Sequence, residues 1–428
     1  MGDLYVAMVK RRRKEKPKPK RSADGPSTNP ELTSAPTSSP AASNDQGRHS
    51  GQNPPTPFWS AVRGFDNQSS DWWLDLLRWV LVACQLVTVI MTASLWQSRD
   101  FPPNLPVAWN PFPQFDLFWP IVASLVLALV VPRWGVIAHV VLLLVAIMQD
   151  QIRIQPQVVS CAILLLGTLP WRSWQTIARA HLFALWFYGG LHKLLSTRYF
   201  SDSNIISKTF ETLTDGSLNH ESSSVTFLHY LSPWIEIVLA LMLLAVISRR
   251  WACVLAVVLH VTIFASLIVL QTNSSVWFWN IAVIAAAFAL VWHWKKSLFG
   301  NWKSLSWPLR IVVLWVLIAP LGYYFEWTDG YVAHCLYSNN GAEGYVVTTD
   351  GGEAKSKSIV QEVHAEINVP MPREHRLIEQ YFLSCAPEDS FLLIEDKRLG
   401  AEQRGRKTRW LKRHRNGRRL VELETPAE

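Results

Sequence analysis

The chain has 428 residues, of which 49% are hydrophobic and only 17% charged, with 22 Trp and a formal net charge of +8. That balance argues against a string of ordinary soluble domains and for a polytopic membrane protein. Five Cys, none in a CxxC or a metal-binding Cys/His spacing, argue against a disulfide scaffold, a zinc module and a thioredoxin-like motif.

Residues 1–68 are rich in Ser, Pro, Asn, Gly and Lys and hold too little apolar surface to offset the entropy of ordering, so a disordered basic tail is expected there. Lys10 to Arg21 contains nine basic residues and one Glu. No apolar core follows this run, as a secretory signal would require, and Val6 replaces the Ser or Thr of a myristoylation signal. The run reads as a solvated cytoplasmic tail beside membrane lipid, with no nucleic-acid partner expected.

Residues 71–326 carry a succession of uncharged apolar stretches: Trp79 to Leu95, Leu117 to Val131, Trp134 to Gln149, Val158 to Pro170, Ile177 to Tyr188 with its flanks, Leu231 to Ser248, Trp251 to Leu270, Val276 to Trp292 and Leu309 to Phe325. Read as spans they number nine, the fourth being short for the roughly 20 residues that a bilayer needs. With the N-terminus inside, the inner loops hold Arg133, Arg172, Arg179, Arg249, Arg250, Lys295, Lys296, Lys303 and Arg310 with no Asp or Glu. The outer loops hold only Arg99, Arg153, Arg198 and Lys208 among seven acidic residues. This bias places the N-terminus in the cytoplasm and the C-terminus outside.

Past Phe325 the pattern turns soluble. Tyr345-Val346-Val347 leads to a turn at Asp350-Gly351-Gly352, Arg373 to Cys385 has helical spacing, and Phe391 to Ile394 reads as a buried strand. The expected fold is therefore all-α and polytopic, with about nine transmembrane helices and a small α+β extramembrane appendage over residues 327–428 that frays into the basic stretch Arg404 to Arg419. Cys335 and Cys385 both fall in the appendage, which leaves a disulfide open.

Ionisable groups inside apolar spans are costly and therefore informative. His181, Tyr188, His192 and Lys193 lie on the fifth stretch, Glu236 on the sixth, His260 midway along the seventh, and Asp150, Gln151 and Arg153 at the end of the third. In one reading Lys193 pairs with Glu236 and His260 is a satisfied core residue. In the other the three share a cavity, where desolvation would let Lys193 act as a general base.

Around Tyr188-Gly189-Gly190-Leu191-His192-Lys193-Leu194 the sequence resembles the HTTM, or vitamin K-dependent gamma-carboxylase-like, membrane domain. Three further stretches carry the resemblance: Pro233-Trp234-Ile235-Glu236, Leu259-His260, and Asp150 to Pro156. It covers about residues 71 to 340. The resemblance implies carboxylase-like chemistry on a quinol or other quinone-like small molecule, with Lys193 and His260 catalytic and Tyr188, His192, Glu236, Asp150 and Arg153 around the cofactor. The chain departs from the family at Gln155-Pro156-Gln157 and in its small appendage. Two other functions stay open: a non-catalytic membrane component that presents its appendage to a partner, and a secondary transporter, although no repeat symmetry is visible.

Overall fold

The computed structural model describes residues 72–428, apart from 202–203, 220, 300–301, 351–352, 402–404, 406, 415–419 and 424–428. The expected basic tail and parts of the C-terminal basic stretch therefore lie outside the described residues.

All nine apolar stretches are helical: α1 (Trp72–Met91), α2 (Phe118–Val130), α3 (Pro132–Gln149), α4 (Pro156–Gly167), α5 (Arg172–Leu194), α6 (Ser223–Leu244), α7 (Arg249–Val269), α8 (Trp277–Ala287) and α9 (Trp307–Ile318). A π-helical turn, Phe288–Trp292, prolongs α8, and a 3-10 stretch, Ala319–Phe325, prolongs α9. Pro at the first turn of α3, α4 and α9 starts each helix where its missing N–H costs nothing.

Six of the nine, namely α1, α3, α6, α7, α8 and α9 with their prolongations, are long and apolar enough to cross a membrane. The chain is an integral, multi-pass membrane protein. Of the nine crossings expected, length and composition support these six. With 13 and 12 residues, α2 and α4 reach only about 20 Å at ~1.5 Å per residue, short of a hydrocarbon core of about 30 Å. Helix α5 is long enough, at 23 residues, but carries Arg172, Arg179, His181, His192 and Lys193 and buries most of its surface inside the bundle.

Much of the outer surface of these helices is apolar and exposed. On α9, Trp307, Ile311, Trp315 and Ile318 form one exposed apolar stripe, and Trp119, Ile247, Trp251 and Val258 are likewise exposed. Such a girdle is tolerated where hydrocarbon covers it.

Side-chain bonds sort the helix ends into two groups. At one end Arg133 lies over Trp171, which joins the α2–α3 and α4–α5 connections, and the buried Arg249 donates to the carbonyls of Trp294 (2.9 Å) and Lys296, which joins α6–α7 to α8–α9. At the other end the connections after α1, α3, α5 and α7 meet the appendage.

The appendage contains a five-stranded antiparallel sheet of order β2-β1-β3-β4-β5, from β1 (Ala342–Asp350), β2 (Glu353–Ser358), β3 (Phe391–Asp396), β4 (Thr408–Arg413) and β5 (Leu420–Leu423). Asp350 faces Glu353 across the β1–β2 hairpin, with the Gly351-Gly352 turn itself outside the described residues. Helix α10 (Ile359–Ile367) is capped by Ser358, and α11 (His375–Cys385) buries His375, Leu377, Ile378, Tyr381 and Phe382, a helical stripe that packs on Leu392 and Ile394 of β3. The expected fraying is corrected in part, because β4, inside the basic stretch, and β5, just past it, extend the sheet; Leu411 is buried, Arg409 on the same face pairs with Glu379 of α11, and Lys412 is exposed. Cys335 and Cys385 are both free thiols.

Candidate functional site

Helices α5 and α6 build the polar centre of the bundle, and two glycines let them touch. A Cβ on Gly190 would stand 2.4 Å from the Pro233 carbonyl oxygen, and one on Gly189 would stand 2.9 Å from Glu236 Oε2. The Gly-Gly pair is thus a packing requirement of the α5–α6 crossing. At that crossing Lys193 Nζ donates to Glu236 Oε1, with both side chains nearly excluded from solvent.

His260 hydrogen-bonds to neither member of this pair. Trp186 Nε1 donates to its Nε2 (2.9 Å) and its Nδ1 bonds to Asn280 Oδ1 (2.9 Å), while Asn280 Nδ2 donates to the Val276 carbonyl (3.0 Å). Nε2 accepts, so Nδ1 carries the proton of a neutral ring whose two nitrogens are both engaged. His192 is engaged in the same way: Nε2 donates to the Ala333 carbonyl (2.8 Å) and Nδ1 lies 2.7 Å from the Tyr324 hydroxyl. Tyr188 stacks on His192 and donates to the Leu317 carbonyl (2.5 Å), which ties α5 to α9. His181 bonds to Ser160 (2.9 Å).

Asp150 and Arg153 form a separate knot at the end of α3. Arg99 donates to Asp150 Oδ2 (2.5 Å), Asp150 Oδ1 accepts from the N–H groups of Leu105 and Ile152 (3.1 Å each), and Arg153 donates to the Leu95 carbonyl (2.8 Å) and to Gln149 (3.1 Å). The sequence-predicted residues therefore divide into a Lys193–Glu236 pair, a Tyr188–His192 pair, a His260 bonded to Trp186 and Asn280, and an Asp150–Arg153 knot. A cavity of about 330 Å³ lies between the bundle and the appendage, and none of these seven residues lines it.

Sequence reading missed the contacts that hold the appendage to the bundle. Asn368, in the left-handed conformation at φ 56° after α10, donates to the Met91 carbonyl (3.2 Å) and to Ser274 (2.8 Å). Gln155 donates to the Pro370 carbonyl (3.1 Å), Gln151 bonds to Gln380 (3.3 Å) and to Arg376, and Asn273 donates to Tyr337 (2.9 Å). The ends of α1, α3, α5 and α7 are thereby all tied to the appendage and its linker. Polar residues just beyond apolar runs were the available signal, but their partners lie some 60 to 280 positions away.

The appendage also gathers charge. Glu326, His375 and Asp396 bring ligand atoms within 4.8 Å of one another. The Arg398 guanidinium, however, donates to Asp396 (2.7 Å) and reaches Glu326 (3.3 Å), so the cationic place among them is already taken and the set does not fit a metal. Burial would raise the Asp396 carboxyl, but hydrogen bonds from His375 and Arg398 outweigh it and hold the group well below the usual carboxylate range. Nearby Glu374 is pushed up to about 7 by burial and by Asp329, against a hydrogen bond from the Gly330 N–H.

Residues 172–276 match the family described as methylamine utilisation protein MauE. The match spans about a quarter of the chain, from the start of α5 to the turn before α8. No curated protein and no solved structure matches the chain. The resemblance to the HTTM and gamma-carboxylase-like family is corrected by this finding, since the stretch holding Lys193, Glu236 and His260 matches MauE instead. The motifs misled because each is short and because packing alone calls for Gly189-Gly190.

Proposed function

We propose that this integral membrane protein is a non-catalytic accessory component whose helical bundle holds the appendage in a fixed pose at the membrane surface. The observation that carries the reading is the docking network: four helix ends reach the appendage or its linker through Asn368, Gln151, Gln155, His192 and Asn273. Polar contacts spread over several elements restrain a rigid body far better than a single tether does. The buried ionisable groups support it too. Lys193 is matched by Glu236, Asp150 by Arg99 and Arg153, and His260 spends both nitrogens on neighbours, which suits stabilising roles better than proton transfer to a substrate. The matching family is described by a process, methylamine utilisation, and not by a reaction.

Nine crossings, with the chain reversing at each of the two groups of helix ends, would turn the appendage away from the cytoplasm under the charge bias. Arg133, Arg172, Arg249, Arg250, Lys295 and Lys296 gather at the opposite end of the bundle.

The test is to undock the appendage without unfolding it. Asn368→Gly keeps the left-handed cap and removes the bonds to Met91 and Ser274, Gln151→Ala removes those to Arg376 and Gln380, Gln155→Ala that to Pro370, and Asn273→Ala that to Tyr337. The combined variant should insert normally, lose protection from hydrogen exchange at residues 368–380, and fail to restore a host in which deletion of the gene causes a defect. Full restoration by an undocked protein would overturn the proposal.

A further inference from the structure

At the bundle end opposite the appendage, positive charge collects without a counter-charge. Arg249, 1% exposed, lays its guanidinium on the last carbonyls of α6, Leu243 (2.7 Å) and Leu244, and on those of Trp294 (2.9 Å) and Lys296. A cation suits a helix C-terminus, and these bonds bring the start of α7 against the α8–α9 connection. Arg179 of α5 reaches the same corner and is also 1% exposed. It lies over the Trp294 ring (3.7 Å) and donates one long bond, to the Leu290 carbonyl (3.4 Å), while its Nε and Nη2 have no partner. Around these two buried cations stand three exposed ones: Arg250, over the Trp292 ring (5.8 Å), Lys295 and Lys296.

No acidic side chain answers them. Among the described residues, the four connections at this end hold no Asp or Glu. Trp73 meets His293 (5.5 Å), so the first turn of α1 adjoins the corner, but Asp75 in that turn is paired with Arg78 (2.6 Å). Depth then decides what anion can come. Helix α7 crosses the membrane and begins at Arg249, and Trp251 in its first turn is 68% exposed. Arg250 and Trp251 therefore sit where hydrocarbon gives way to headgroups, the level at which Trp collects and lipid phosphates lie. Phosphatidylcholine brings a choline cation that the corner repels, whereas an anionic phospholipid brings net negative charge.

We propose that this corner holds the headgroup of an anionic phospholipid such as phosphatidylglycerol, with Arg250, Lys295 and Lys296 against its phosphate. Arg179 and Arg249, closed off from solvent, act on it through their field and not by contact. The lipid supplies the counter-charge that the chain lacks at this end. The proposal goes beyond the accessory role and does not depend on it.

Native mass spectrometry of the full-length protein, released from micelles that mix phosphatidylglycerol and phosphatidylcholine of the same chain lengths, measures the preference. At about fivefold per cation near a membrane surface, the three exposed side chains predict retention of phosphatidylglycerol over phosphatidylcholine by at least about tenfold, falling as salt is raised. Arg250→Gln with Lys295→Gln and Lys296→Gln should cut the preference below about threefold. This triple variant should keep the wild-type Tm in phosphatidylcholine, because all three side chains are exposed. Arg133→Gln with Arg172→Gln, on the other two connections at this end, should leave the preference intact. Free glycerol phosphate should not displace the lipid, since the acyl chains hold the headgroup at that depth. Equal retention of the two lipids would overturn the proposal and leave the corner to an acidic segment of a protein partner. A triple variant that keeps the preference, an Arg133 and Arg172 variant that loses it equally, or displacement by free glycerol phosphate would overturn it as well.

Discussion

Lys193→Met separates a structural lysine from a reactive one. Met replaces the side chain at similar volume and leaves Glu236 with no cation. The carboxylate has nowhere to turn: its Oε2 lies against Gly189, where an added Cβ would come within 2.9 Å, and its side chain is only 7% exposed. Removing one partner of a buried ion pair costs about 3–5 kcal/mol, whereas replacing both partners is often close to neutral. Lys193→Met should therefore lower the unfolding free energy in detergent by that amount, and Lys193→Met with Glu236→Gln should recover to within about 1 kcal/mol of wild type. Tryptophan fluorescence during thermal or denaturant unfolding measures both, since the bundle is rich in Trp. A single variant as stable as wild type would show that the pair contributes nothing, and the structural role assigned to Lys193 would fall.

Three further outcomes follow from the geometry. Glu374 keeps its proton up to about pH 7 in the folded appendage but only to about 4.5 when unfolded. Its contribution is full below pH 4.5 and is lost as pH rises through 7, a difference of about 3 kcal/mol. Glu374→Gln keeps the acceptor for Gly330 and should unfold later than wild type at pH 8 but not at pH 4.5; equal Tm differences at both pH values would contradict the assignment. Gly190→Ala should destabilise by about 1–3 kcal/mol, because its Cβ would meet the Pro233 carbonyl at 2.4 Å; a gain in Tm, as expected for Ala on an open helix surface, would refute the close crossing. If all nine helices cross, a C-terminal reporter active only outside the cytoplasm should give signal, and activity of a cytoplasmic reporter there would mean an even number of crossings.

Much of the fold was legible because its signals are local. Apolar runs between charged loops marked every bundle helix, and the spacing of Leu377, Ile378, Tyr381 and Phe382 marked α11. Span number was less legible, because the short helices α2 and α4 read like their longer neighbours when only apolar character is counted. Strands β2 and β4 were missed because they carry Lys355, Lys357, Arg409 and Lys412, charges that suit strands near a sheet edge but resemble a solvated tail. At the candidate site, sequence could place Lys193, Glu236 and His260 on successive helices but could not choose between a shared cavity and separate partners. That choice rests on Trp186 and Asn280, which close around His260, and on two glycines that bring Glu236 against α5. The docking residues were invisible for a related reason: Asn273 and Asn368 read as ordinary turn residues until the chain folds.

The central claim, that Lys193 and Glu236 are a matched structural pair and do no chemistry, is tested most directly by complementation with the charge-neutral double variant. Lys193→Met with Glu236→Gln, expressed and inserted at wild-type level in cells lacking the native gene, should restore the host fully, because the appendage remains docked. A double variant that matches wild type in Tm and in appendage protection yet fails to restore the host would contradict the account and return Lys193 to a chemical role.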